Sequence, residues 1–241
     1  MDIEVWSDFV CPFCYMGKRQ LESALDHFPH KDNVFVTYNS YELDPDSEKN
    51  PDQSIHERMS VKFGMSVEEA RQSNEKMRKK AEELGLIYNF DTMQPTNSFD
   101  AHRVVQYAKN KGKSHAVIER LFRAYFTDSE RISDYEILAR LAAESGLDRG
   151  NVRVMLKKDD YAEDVRMDEK EAAQLGVQGV PFFVFNSTYA LSGAQPMNVF
   201  TEVLAKVWEE EQSKSSSHSL TPKKSKTTYC TDEGCEDMKN D

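Results

Sequence analysis

"EVWSDFVCPFCYMGKRQLE", Glu4 to Glu22, sets two cysteines, Cys11 and Cys14, where a strand should give way to a helix. Upstream, Ile3, Val5 and Phe9 around Trp6 suit a buried first strand. Downstream, Cys14, Leu21, Leu25 and Phe28 recur at helical spacing, and Pro29 stops the run. "NVFVTYNSYELDP", Asn33 to Pro45, is rich in β-branched and aromatic residues and predicts a second strand. The chain therefore opens β-α-β, with the cysteine pair at the helix start.

From about Ser54 to Gln174 the pattern predicts nearly continuous helix. Three serines each followed three residues later by glutamate mark helix starts: Ser54/Glu57, Ser66/Glu69 and Ser133/Glu136. Val67, Ala70, Asn74, Met77, Ala81 and Leu84 form one stripe that Gly85 is placed to end. "HAVIERLFRAYF", His115 to Phe126, carries a broad apolar face. After this the β signal returns: "FFVFN" (182–186) and "YALSG" (189–193) predict a hairpin, and a last helix runs from Pro196 to about Gln212. The expected architecture is α/β: one sheet domain (1–53 and 175–212) interrupted by an all-helical insertion (54–174). "SKSSSHSLTPKKSKTT" then predicts a flexible tail over 213–241, because so few apolar groups cannot offset the entropy of ordering.

Across 241 residues the formal net charge is −11, which argues against nucleic acid or an anionic membrane surface as main partners. No apolar run approaches the roughly 20 residues that span a bilayer, and no leader pattern opens the chain, so a cytoplasmic protein is expected. Four cysteines are too few for a disulfide framework in such a chain. Catalysis or metal binding explains them better.

The chemistry of the pair follows from its position. Unpaired N–H groups and the helix dipole favour negative charge at a helix start, so a Cys11 thiolate is stabilised there. Pro12 suits the first turn, where its missing N–H costs nothing. Cys14, within reach of Cys11, supplies the resolving thiol that disulfide exchange requires. A zinc site using Cys230 and Cys235, a static disulfide, and two inert core thiols are the alternatives.

"SDFVCPFCYMGK" (7–18), followed far downstream by "GVQGVPFFVFN" (176–186), resembles the DsbA family of thioredoxin-fold oxidoreductases. The similarity is greatest to its FrnE-like branch, which is related to 2-hydroxychromene-2-carboxylate isomerases and kappa-class glutathione transferases. It covers about residues 2 to 211. It implies a thioredoxin fold with a large helical insertion between its β-α-β and β-β-α halves. It also implies a cis-proline loop at Pro181, preceded by Val180, facing the cysteines, where an extended substrate segment pairs with the backbone. Gly179 would allow close backbone approach there. Pro12, Phe13 and Tyr15 are expected to line the substrate groove, with Met16 a lesser candidate. Asp8 is a candidate proton acceptor for Cys14 or else a turn residue, and His102 is a candidate on the insertion near the cleft.

The implied activity is thiol–disulfide oxidoreduction, extending to disulfide isomerisation, on protein or small-molecule thiols. No cofactor beyond the redox-active disulfide is implied, and glutathione is a candidate co-substrate. Phe13 replaces the histidine of the commonest oxidase dipeptide and cannot stabilise a thiolate by charge. The centre is therefore expected to be less oxidising than DsbA at about −120 mV and nearer thioredoxin at about −270 mV. Cys230 and Cys235 are candidates for a second dithiol, on a linker of roughly 20–25 Å reach. The rival activities are a glutathione-dependent isomerase or transferase of small aromatics and a zinc or heavy-metal binder.

Overall fold

The computed structural model describes residues 1–217, 229–231 and 234–236. Strand β1 (Asp2–Ser7) leads into helix α1 (Pro12–Asp26), and β2 (Phe35–Ser40) returns parallel to β1. The insertion follows as α2 (Ile55–Phe63), α3 (Val67–Glu82), α4 (Phe99–Lys109), α5 (Ser114–Phe126), α6 (Tyr135–Glu144), α7 (Arg149–Leu156) and α8 (Ala162–Gln174). The hairpin β3 (Phe182–Phe185) and β4 (Tyr189–Ser192) then completes a sheet of order β2-β1-β3-β4, with β3 antiparallel to both its neighbours. Helix α9 (Met197–Ser217) packs beside α1. This is the thioredoxin fold with a helical insertion between its two halves.

Apolar residues alternate into the sheet as a half-buried strand requires. Ile3, Val5, Phe183 and Phe185 are all buried, and Phe183 meets Phe200 of α9 edge-on at 4.8 Å. The largest core cluster runs without a break from Ile3 through Phe9, Tyr15 and Phe122 to Leu204, so the insertion and the sheet share one apolar interior. Asp168 of α8 fastens the other flank. Its carboxylate accepts from the Ser40 N–H at 2.7 Å, and its carbonyl from the Trp6 indole at 2.9 Å.

The serine–glutamate boxes at Ser54 and Ser66 form as expected, each with both reciprocal bonds. The third does not. Asp134, not Ser133, caps α6, accepting from the N–H groups of Glu136 and Ile137 at 2.8 and 3.0 Å. A carboxylate complements the helix dipole better than a hydroxyl, and the Ser133 hydroxyl is buried and donates to the Lys49 carbonyl at 2.7 Å. Val67, on the expected apolar stripe, faces solvent, while Ala70, Asn74 and Ala81 are buried.

Three boundaries also move. The insertion is not continuous helix, for residues 83–98 leave α3 as an irregular segment that buries Leu86, Tyr88, Phe90 and Met93. Strand β1 ends at Ser7, so Phe9 belongs to the turn. Helix α9 continues five residues past Gln212, into the stretch expected to be tail. Residues 218–228 lie outside the described residues, and beyond them β5 (Tyr229–Thr231) pairs antiparallel with β6 (Gly234–Glu236).

The two halves also meet closely at Gly17 on α1. A Cβ there would lie 2.9 Å from Cγ of Pro181 and 3.1 Å from Cζ of Phe183. Gly179, expected to serve this purpose, has open space where its Cβ would be. Gly17→Val should therefore lower stability by about 1–3 kcal/mol through overpacking. Thermal unfolding against wild type measures this, and an unchanged Tm would show that α1 can move away freely.

Candidate active site

Cys11 is the N-cap residue of α1, in extended conformation, with Pro12 at the first helical position. The turn that delivers it is held by Asp8, whose carboxylate is fully buried and accepts from the N–H groups of Leu43 at 2.8 Å and Val10 at 3.3 Å. The Asp8 carbonyl accepts from the Cys11 N–H at 3.1 Å. From the far side of the helix start, the Tyr88 hydroxyl donates to the Pro12 carbonyl at 2.8 Å. The Val180–Pro181 bond is cis, and the Val180 carbonyl stands 3.5 Å from Cys11 Sγ. The loop is tied to β4 through the Gly193 N–H, which donates to the Pro181 carbonyl at 2.8 Å.

Both sulfurs are free thiols and both residues are buried, but they face different surroundings. Cys11 lines an apolar groove of about 820 Å³ between the sheet domain and the insertion. Pro12 and Phe13 form one wall, Met59 and Phe63 of α2 with Met77 of α3 the other, and Phe90, Met93 and Phe126 also line it. Cys14 does not reach the groove. Its sulfur accepts from the Asp8 N–H at 3.4 Å. Burial pushes the Cys14 thiol well above its ordinary 9.0, and the neighbouring Cys11 adds to the rise. The Asp8 N–H and the Ser7 side chain act in the opposite direction.

The chain matches the family model "DSBA-like thioredoxin domain" over residues 2–205. It belongs to the DsbA-like thioredoxin family. It is a DsbA-like thiol–disulfide oxidoreductase with Cys11–Cys14 as its C-x-x-C pair. A probable DsbA oxidoreductase from Streptomyces coelicolor is 39% identical, with a TM-score of 0.83 and 98% of each chain covered. The uncharacterised protein YwbO of Bacillus subtilis is 30% identical over 205 residues, 84% of this chain and 95% of that one. A 2-hydroxychromene-2-carboxylate isomerase shares the fold at a TM-score of 0.66 and 14% identity, over 88% of this chain and 98% of that one.

The residues expected from sequence are brought together unequally. Cys11, Cys14, Val180 and Pro181 converge, and Pro12 and Phe13 line the groove. Tyr15 does not line it. Its ring stacks on Phe122 at 4.9 Å and its hydroxyl donates to Glu119 at 2.8 Å, so it fastens α1 to α5. Met16 is likewise buried in the core. Asp8 meets Cys14 through its backbone N–H, and its carboxylate holds the turn. His102 is buried with Nε2 3.5 Å from Asp8 Oδ1 and its ring against Phe9.

Sequence reasoning missed Ser7, Tyr88 and the methionines and aromatics of the groove. Tyr88, Phe90 and Met93 belong to the irregular segment, where no periodicity signals them. The Cys230 and Cys235 side chains lie outside the described residues.

Two outcomes follow from the asymmetry of the thiols. Alkylation of the native reduced protein should label Cys11 before Cys14, and peptide mapping after a short iodoacetamide pulse reads the order. Reduced-protein stability should also fall as pH rises above 9.0, where the unfolded thiol ionises but folded Cys14 keeps its proton. The unfolded state then binds fewer protons, so the slope of unfolding free energy against pH is negative. Urea unfolding across this range should give a shallower slope for Cys14→Ala, and identical slopes would remove Cys14 as the cause.

Proposed function

We propose that this protein exchanges disulfides with protein substrates, Cys11 attacking and Cys14 resolving, and that it belongs to the FrnE-like branch of its family. The observation that carries the reading is the placement of Cys11, and not Cys14, in an apolar groove beside the Val180 backbone carbonyl. An extended protein segment has both the backbone to lie along Val180 and the apolar side chains to fill the groove. The methionines suit a surface that must accept varied side chains, because their unbranched thioethers adapt to different shapes. Disulfide isomerisation is an extension of the same exchange: a second substrate thiolate attacks the substrate sulfur of the mixed disulfide, a new substrate disulfide forms, and Cys11 leaves as thiolate.

Glutathione is a poorer match to this groove. It brings two carboxylates, whereas Arg58 and Lys62 are the cations that line the cavity. Arg58 is already engaged with Asp44 and Ser47 at 3.3 and 2.9 Å. The intact Cys14 also tells against a glutathione-dependent isomerase.

The tail supports a second dithiol. Cys230 and Cys235 stand opposite one another in the β5–β6 register. Directly opposed residues in such a pair have Cα atoms about 4.5–5.5 Å apart, which a disulfide can span. We assign this pair to exchange with Cys11–Cys14.

Insulin reduction with dithiothreitol should be lost in Cys11→Ala, and retention of the rate would refute the reading. Phe63→Ser should lower kcat/KM on insulin by about tenfold, the scale of losing one buried aromatic contact. The same variant should leave the rate on a small aliphatic disulfide within about twofold, and equal losses on both would place Phe63 outside protein recognition. Cys14→Ser should trap a mixed disulfide between Cys11 and the tail, visible by mass after non-reducing proteolysis. Failure to find one would remove the tail pair from the exchange.

A further inference from the structure

Resolution of a mixed disulfide demands a Cys14 thiolate, yet Cys14 is cut off from the groove and from bulk solvent. Its proton must leave through the protein. Four buried side-chain polar atoms among the described residues lack a hydrogen-bond partner, and two of them, Ser7 Oγ and His102 Nε2, lie close to Asp8, the residue whose N–H meets Cys14. Unpartnered buried polar groups are costly, and a native interior keeps few of them without a reason.

Ser7 and His102 line the same small cavity, about 10 Å³, together with Asn39 and Ser40, and Tyr38 also borders it. That volume is about one water molecule, and four polar residues are enough to hold one. The Ser7 side chain lies near enough to Cys14 to favour its thiolate, though without ordinary hydrogen-bond geometry. His102 Nε2, in turn, lies 3.5 Å from the buried Asp8 carboxylate.

We propose that Ser7, one bound water and the His102–Asp8 pair form an internal proton path serving Cys14. This rests on the oxidoreductase reading and adds the step it leaves open. In the reductive direction, substrate disulfide is held as a Cys11–substrate mixed disulfide. The Cys14 S–H proton passes through Ser7 and the water to His102. Cys14 Sγ then attacks Cys11 Sγ, the Cys11–Cys14 bond forms, the bond to substrate breaks, and substrate leaves as a thiolate. The dithiol loses two electrons and the substrate disulfide gains them. In the oxidative direction the same path returns the proton to departing Cys14. Ser7 is the catalytic residue of the path, and His102 and Asp8 are positioning residues that act through it.

Other charged groups face these residues and set the background. Glu42, paired with Arg166 at 2.6 Å, feels the charge of His102 from the segment after β2. Asp100 and Arg103 lie on His102's own helix, bonded to each other at 2.7 Å. Tyr125 feels the charge of Asp8, and Tyr38 and Tyr88 feel that of Cys14.

The test uses full-length reduced protein and 5,5′-dithiobis(2-nitrobenzoate), whose thionitrobenzoate is released twice. Cys11 attack gives the first release and Cys14 resolution the second, so one stopped-flow trace separates the steps. Ser7→Ala and His102→Gln should lower the ratio of second to first rate by about 10²-fold, the usual scale of lost acid–base assistance. In both, the second rate should climb about tenfold per pH unit, as direct hydroxide dependence requires, where wild type is flatter. Wild-type ratios and pH profiles in the variants would overturn the path. So would equal slowing of both steps with an unchanged profile, which is what a packing role predicts. Should His102→Gln fail to fold, Ser7→Ala, lacking a single oxygen, carries the same test. Wild type that never makes the second release would instead sink the oxidoreductase reading, and the path with it.

Discussion

Everything chemical in this protein depends on α1 lying flush against the Val180–Pro181 loop. The contact joins points 169 residues apart in the chain, and it closes because Gly17 has no side chain to hold Pro181 away. With α1 so placed, the helix N-terminus and a backbone carbonyl both face one sulfur. The turn leading into the helix is fixed by a buried carboxylate that satisfies two backbone N–H groups. A misplaced helix start would separate the thiol from the backbone edge, and exchange depends on close, oriented contact between sulfurs.

The same geometry makes two identical side chains chemically unequal. One helical turn carries Cys14 away from the groove and into the interior, where burial opposes its ionisation. Cys11 stays at the groove, at the dipole's positive end. One thiol thus faces the groove and the other is guarded by the interior. The guarded thiol has buried polar neighbours from β1 and the turn that follows it, and His102 of α4 packs against that turn at Asp8.

The insertion does more than decorate the sheet domain. Its α2–α3 pair supplies one wall of the groove, and its irregular segment contributes Phe90 and Met93. Tyr15, stacked on Phe122 and bonded to Glu119, ties the insertion to α1 itself. The groove's shape and the thiol's position are thus set by one continuous core. Its lining is largely apolar, with Arg58 of α2 held by Asp44 and Ser47.

Much of the frame was legible from sequence because its signals are local. The β-α-β opening, two of the capping boxes, the β3–β4 hairpin and the cysteine pair at a helix start each arise from spacing within a few residues. The loop opposite Cys11 came from resemblance, and in the structure the carbonyl before Pro181 lies 3.5 Å from Cys11 Sγ. What failed was local signal overruled by tertiary demand: Ser133 gave up its cap to bond Lys49, and Tyr15 turned into the core. What was invisible had no local pattern at all, including the irregular 83–98 segment and the meeting of Ser7 with His102 at one cavity. Sequence by itself determined that a reactive dithiol would stand at a strand–helix junction, because helix capping and side-chain period are short-range. Only the tertiary structure decided which sulfur lines the groove and which is enclosed by the core, because burial is a property of packed neighbours distant in the chain.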